Sequence, residues 1–171
     1  ALVCEEASIS RSELEARANQ LARGFQSEGV GPGDLVSLVL PNSLELVIAM
    51  LATWKLGAVP NPLSPAMPEA ELNAILERAG PRLVLGGDDG IGGKHRSLPA
   101  DYESGLSLEK NPLPERIAPH ERALASGGST GLPKLILPRS EAVYDSDARS
   151  FFARVRRVAL VPGPLYHAAP F

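Results

Sequence analysis

Between Leu35 and Gly86 the chain alternates short runs of branched apolar residues with longer segments in which apolar side chains recur every three or four positions. Runs of that kind, without polar alternation, belong to strands buried on both faces, and the segments between them suit crossover helices. Leu35-Val36-Ser37-Leu38-Val39-Leu40 reads as a buried strand after the turn Gly31-Pro32-Gly33-Asp34. Asn42 or Ser43 can cap the next helix, which runs through Trp54 and stops at Gly57. Ala58-Val59-Pro60-Asn61-Pro62 is extended, because residues before proline avoid the helical region, and it reads as a short edge or connecting strand. A helix from Pro68 to Ala79, stopped by Gly80, leads into the strand Arg82-Leu83-Val84-Leu85-Gly86. The pattern predicts a layered α/β fold, a mostly parallel sheet with flanking helices and right-handed crossovers.

An earlier helix begins at Ser10, with Leu14, Ala18, Leu21, Ala22 and Phe25 on one face, Ser10 and Glu13 in capping-box order, and Gly29 and Gly31 to end it. From 86 to 120 periodicity disappears, which predicts loop with one short strand at most. After it come Arg122 to Ser126, a glycine-rich turn, Leu135-Ile136-Leu137, a helix from about Ser140 to Arg154, and a strand Val158 to Val161. Arg154, Arg156 and Arg157 read as a solvated helix end.

Composition removes several function classes. The longest apolar run, Leu46 to Ala52, is far short of the ~18 residues of a membrane span. A net charge of −3 and 5% aromatic residues provide neither the electrostatic footprint nor the stacking platform of a nucleic-acid binder. The N-terminus lacks the basic and apolar regions of a secretory signal, and the lone Cys4 cannot form an internal disulfide, so a cytoplasmic location is expected. Sixteen Gly and sixteen Pro among 171 residues stay below the ~25–30% share of low-complexity chains and call for a local explanation. The length suits one domain or part of a larger one, and the missing initiator Met and abrupt end at Phe171 favour a part.

The chemistry concentrates in Ser126-Gly127-Gly128-Ser129-Thr130-Gly131-Leu132-Pro133-Lys134. Three glycines allow successive N–H groups to turn toward one anion, Ser129 and Thr130 add hydroxyls, and Lys134 adds a positive charge. It is not a Walker A loop, because Pro133 precedes the lysine and a strand-like run follows it, where that loop would open a helix. The residues alone leave two alternatives, a phosphate cradle between strands or a ligand-free Gly/Ser hairpin. Adjacent hydroxyls and a cation at the exit weigh toward phosphate, since a plain turn needs neither.

The stretch Ala125 to Lys134 resembles the signature loop of the adenylate-forming superfamily, which includes acyl-CoA synthetases, luciferases and peptide-synthetase adenylation domains. Gly31-Pro32-Gly33-Asp34, Leu40-Pro41-Asn42-Ser43 and Lys55 to Pro65 resemble that family's early core segments in order and spacing, and Gly163-Pro164-Leu165-Tyr166-His167-Ala168-Ala169-Pro170-Phe171 resembles the motif after the loop. The Gly127-Gly128 form with Leu135-Ile136 looks most like the bile-acid-CoA and fatty-acid-CoA ligase branch, although aryl-adenylating enzymes share it. Arg139 stands where the family often has a histidine. The resemblance covers almost the whole chain and is weakest from Gly86 to Pro119.

The resemblance implies a fold that is part of the N-terminal domain of an adenylate-forming enzyme, with residues 1–171 a single α/β piece. It implies that a carboxylic acid, fatty or bile-acid-like, attacks the α-phosphorus of ATP, giving an acyl adenylate and pyrophosphate, and that the thiol of coenzyme A then displaces AMP, with the loading of a carrier protein as the alternative. Ser126, Gly127, Gly128, Ser129, Thr130, Gly131 and Lys134 would contact phosphate, Thr130 would face Mg²⁺, and Lys134 and His167 would be the catalytic pair. Alone, His167 beside Tyr166 reads as a packed core residue; the motif moves it to the acid pocket and thiol entrance. His95, His120 and Cys4 receive no role, and Trp54 is assigned to the core. The later family motifs, which meet adenine, ribose and a mobile C-terminal lysine, have no match here, and Thr130-Gly131 is the only Thr-Gly pair. The expectation is an N-terminal piece of a larger ligase, inactive alone, with a noncatalytic remnant as the contrasting case and a homodimer left open.

Overall fold

The computed structural model describes residues 2–5, 7–86, 93–102, 109–126, 134–143, 161 and 163–167. Strands β1 (Leu2–Cys4) and β2 (Ala7–Ile9) form an antiparallel hairpin that no turn signal announces; Glu5 takes the left-handed region there, with φ 53°. Helix α1 (Arg11–Ser27) is capped by Ser10, whose Oγ accepts the Glu13 N–H at 3.2 Å. Strand β3 (Leu35–Val39) follows, then α2 (Leu44–Lys55), for which Ser43 rather than Asn42 is the cap, its Oγ accepting the Leu46 N–H. Beyond β4 (Val59–Leu63), helix α3 (Glu69–Ala79) starts one residue later than expected, because Pro68 is extended at ψ 136°; Gly80, at φ 57°, closes it. Then come β5 (Leu83–Gly86), β6 (Ser97–Leu98), β7 (Leu124–Ser126) and β8 (Lys134–Ile136). β6 is the short strand the loop-rich stretch allowed.

The central sheet has the order β4-β3-β5-β6 and is parallel throughout. Successive residues serve opposite faces: Val36, Leu38, Leu83 and Leu85 join Phe25, Leu46 and Ile48 in one cluster with α1 and α2, whereas Val39, Leu63 and Val84 pack with Leu72, Ile75 and Leu76 of α3. This double burial explains why these strands carry almost no polar residues. Their buried exceptions form a pair, Asn61 Nδ2 donating to Ser37 Oγ at 3.1 Å across β3 and β4. The prolines fix β4 at an edge. Val59 donates inward to the Asp34 carbonyl, so Pro60 and Pro62, of opposite parity, turn their missing N–H groups away from β3. Leu38 is fully buried at the centre of the sheet. Leu38→Ala is expected to cost about 2–5 kcal/mol, read as a lower urea midpoint with an unchanged slope; a loss below about 1 kcal/mol contradicts a central role for β3.

The helix expected from Ser140 is not present over 140–143. Those backbone groups pair elsewhere, Glu121 N–H with the Ser140 carbonyl at 2.9 Å and Ala142 N–H with the Ala118 carbonyl at 3.1 Å, which ties the segment to 118–121, and the Val143 N–H turns back onto the Glu141 carbonyl at 2.9 Å. The remainder of that expected helix, the strand residues 158–160 and the arginine group lie outside the described residues.

Candidate functional site

The two ends of the glycine-rich segment are brought together by β7 and β8, which pair antiparallel with Ser126 opposite Lys134 and Leu124 opposite Ile136. Opposite residues in such a pair have Cα atoms about 4.5–5.5 Å apart, so the ladder sets a hydroxyl residue and a cation side by side. Gly127, Gly128, Ser129, Thr130 and Gly131 lie outside the described residues. Lys134 is exposed. The stem is fixed to the sheet edge, because the outward Pro60 carbonyl accepts the Ala123 N–H at 2.8 Å, and Trp54 Nε1 donates to the Glu121 carbonyl at 2.7 Å. Trp54 therefore joins core packing to placement of the hairpin. His120, given no role from sequence, bonds through Nδ1 to the Pro138 carbonyl at 2.7 Å and holds the exit of β8.

His167 reaches the same end of the sheet from the far end of the chain. Asn42, three residues past β3, donates from Nδ2 to the Gly163 carbonyl at 3.1 Å and accepts the Leu165 N–H on Oδ1 at 2.8 Å. Leu165 packs on the main core, and the His167 N–H closes a turn on the Pro164 carbonyl at 3.1 Å. The Tyr166 and His167 rings lie 5.0 Å apart, tilted by 59°. Both line a cleft of about 350 Å³ with Leu63 and Ser64 at the carboxyl end of β4, Met67 ahead of α3, Glu71 and Ile75 on α3, and Ala125 of β7. His167 is exposed, not the packed core residue its sequence neighbours alone favour. Sequence reasoning passes over Asn42 because it competes with Ser43 for the same capping role; Ser43 alone suffices, and the spare amide is the available signal.

A larger cavity, about 690 Å³, opens at the amino ends of the strands among Asp34, Arg82, Lys94 and Arg96. Ligands of open parallel sheets bind at carboxyl ends, and the larger cavity contains none of the hairpin or His167 residues, so the smaller cleft is the candidate site. Beside the larger one, Arg96 forks onto Glu28 with contacts of 2.6 and 3.1 Å. Arg96's hydrogen bond holds the Glu28 carboxyl below its ordinary value against a smaller desolvation effect, and Glu28 in turn raises the Arg96 guanidinium. Among the described residues no three of His, Cys, Asp and Glu converge on a metal position, and no helix is long and apolar enough to cross a membrane.

A parallel sheet with helices on its faces, an edge-mounted hairpin and a cleft at its carboxyl ends make up a layered α/β domain. The chain belongs to the AMP-binding enzyme family, whose model it matches over residues 1–171. It is 33% identical over 153 residues to tyrocidine synthase 2 of Brevibacillus parabrevis, a match covering 86% of this chain and 4% of that synthase. Among solved structures it is similar to NpsA-ThdA, an artificially fused adenylation–PCP di-domain NRPS from Klebsiella oxytoca, with 29% identity, a TM-score of 0.71, and coverage of 80% of this chain and 28% of that one. The O-succinylbenzoate coenzyme A synthetase of Bacillus subtilis, in complex with AMP, shares the fold at TM-score 0.70 and 22% identity, over 80% of this chain and 37% of the other. The α/β architecture is that of the N-terminal domain of adenylate-forming enzymes, as the sequence resemblance implied.

Proposed function

We propose that this chain is the phosphate-gripping, acid-facing portion of an enzyme that activates a carboxylic acid with ATP and loads it onto a carrier protein. The observation that carries this reading is the pairing of Ser126 with Lys134 at the mouth of a hairpin whose Ala125 shares a cleft with His167. In this reading Ser126, Gly127, Gly128, Ser129, Thr130 and Gly131 surround the β- and γ-phosphates, Thr130 faces the metal-bearing side, and Lys134 offsets the charge of the departing pyrophosphate. Fixed donors of this kind act without reorganising as charge develops. The carboxylate must approach a polyanion; His167, at the rim of the cleft, orients it and leaves the adenylate open to the incoming thiol. Likeness to a tyrocidine synthase and to an adenylation–PCP fusion supports a carrier-bound thiol as acceptor.

The Gly127-Gly128 form of the loop favours a second reading, coenzyme A as acceptor in a bile-acid or fatty-acid ligase. The whole protein containing this chain, supplied with ATP and a panel of aryl and aliphatic acids, decides between them. Transfer to a pantetheinylated carrier protein is expected to exceed transfer to coenzyme A by at least about tenfold, the order that one lost set of acceptor contacts gives. Equal or faster transfer to coenzyme A selects the second reading. Absence of any acyl adenylate across the panel removes both and leaves a noncatalytic remnant.

A further inference from the structure

We infer that Asn42 is a positioning residue for the acid-facing histidine, acting as a two-pronged clamp between the carboxyl end of the central strand and the segment that bears His167. This inference rests on the proposed role of His167 in the acid pocket. Both halves of the Asn42 amide are used, Nδ2 on the Gly163 carbonyl and Oδ1 on the Leu165 N–H, across more than a hundred residues of sequence. One side chain thus takes the place of a neighbouring strand, satisfying an acceptor and a donor two residues apart. Its own position is held by β3 on one side, by the Ser43-capped α2 on the other, and by the Cys4 thiol on its carbonyl at 3.6 Å. Two residues beyond the clamped Leu165, with the chain folded back by the His167-to-Pro164 turn, the imidazole meets the cleft. No carboxylate or alkyl side chain can grip both groups, and a longer amide would push the segment out.

The test is a double-mutant cycle read in pyrophosphate exchange by the whole protein, together with amide hydrogen exchange. Asn42→Ala is expected to raise KM for the acid about tenfold, the order of two lost hydrogen bonds, with KM for ATP changed less than about twofold. In a His167→Ala background the same substitution is expected to add nothing, because the clamp acts through that residue. The Leu165 amide should exchange about tenfold faster in Asn42→Ala while Leu38 and Leu85 in the sheet stay as in the parent. Asn42→Asp, which keeps the acceptor and loses the donor, should fall between parent and Ala. Equal effects on both substrates, or full additivity with His167→Ala, overturn the inference. Should His167→Ala leave the KM for the acid unchanged, the reading of the pocket falls instead; the clamp is then judged by exchange alone, and an unaltered Leu165 amide refutes it.

Discussion

Lys134→Ala is expected to lower the rate of acid-dependent pyrophosphate exchange by about 10²–10³-fold, the usual loss when one preorganised electrostatic contact to a developing charge is removed. The lysine begins β8 directly opposite Ser126, so its position is set by ladder pairing and does not depend on its own side-chain packing. Its side chain is exposed, and truncation leaves the apolar clusters of the sheet intact. The melting temperature should therefore move by less than about 2 °C, as for surface substitutions away from special features. Lys134→Arg should recover part of the rate only, since a planar fork on a different stem cannot occupy the point-charge position of an ammonium. The combination to look for is a large rate loss with unchanged unfolding. Exchange at the parental rate in Lys134→Ala would remove this residue from the mechanism, while a rate loss that tracks a fall in melting temperature would make it structural.

How far such expectations can be read from residues alone depends on whether the deciding contacts are local. The strands β3 and β5, the cap Ser43, the stop at Gly80 and the edge placement of the two prolines in β4 follow from neighbours within a few positions, and the structure has them there. The short hairpin of β1 and β2 is not legible because Glu5 takes a left-handed conformation that sequence assigns to Gly or Asn. Residues 140–143 suit a helix by local propensity, yet the carbonyls and N–H groups of 118–121 compete for the same backbone partners and prevail. At the candidate site the stem residues are legible as a motif, whereas Asn42 is not, because its partners lie more than a hundred residues later. Motif spacing locates groups that meet a ligand; it is silent on groups that hold those groups in place.

The carboxyl ends of β3 and β5 meet at a point with no room for a side chain, and this gives Gly86→Ala a large expected structural effect. Gly86 pairs with Val39, has φ 83°, and an added Cβ would run into the Val39 carbonyl oxygen and lie 3.0 Å from Leu40 Cδ2. Two costs combine, about 1–2 kcal/mol for the left-handed conformation and about 1–3 kcal/mol for forcing a close-packed contact apart. Gly80→Ala separates them: Gly80 also has a positive φ, 57°, but an added Cβ there meets nothing within 4 Å. Gly80→Ala should therefore lose about 1–2 kcal/mol, and Gly86→Ala about 2–5 kcal/mol, measured by urea unfolding. Relief of the clash moves Val39, and the chain leaving Val39 carries Asn42, whose amide grips Gly163 and Leu165. The KM for the acid should rise in Gly86→Ala and stay near the parental value in Gly80→Ala. If the two variants lose equal stability, the backbone approach at Gly86 is not what demands glycine. If stability differs but the acid KM does not, displacement at the end of β3 is absorbed before it reaches the cleft.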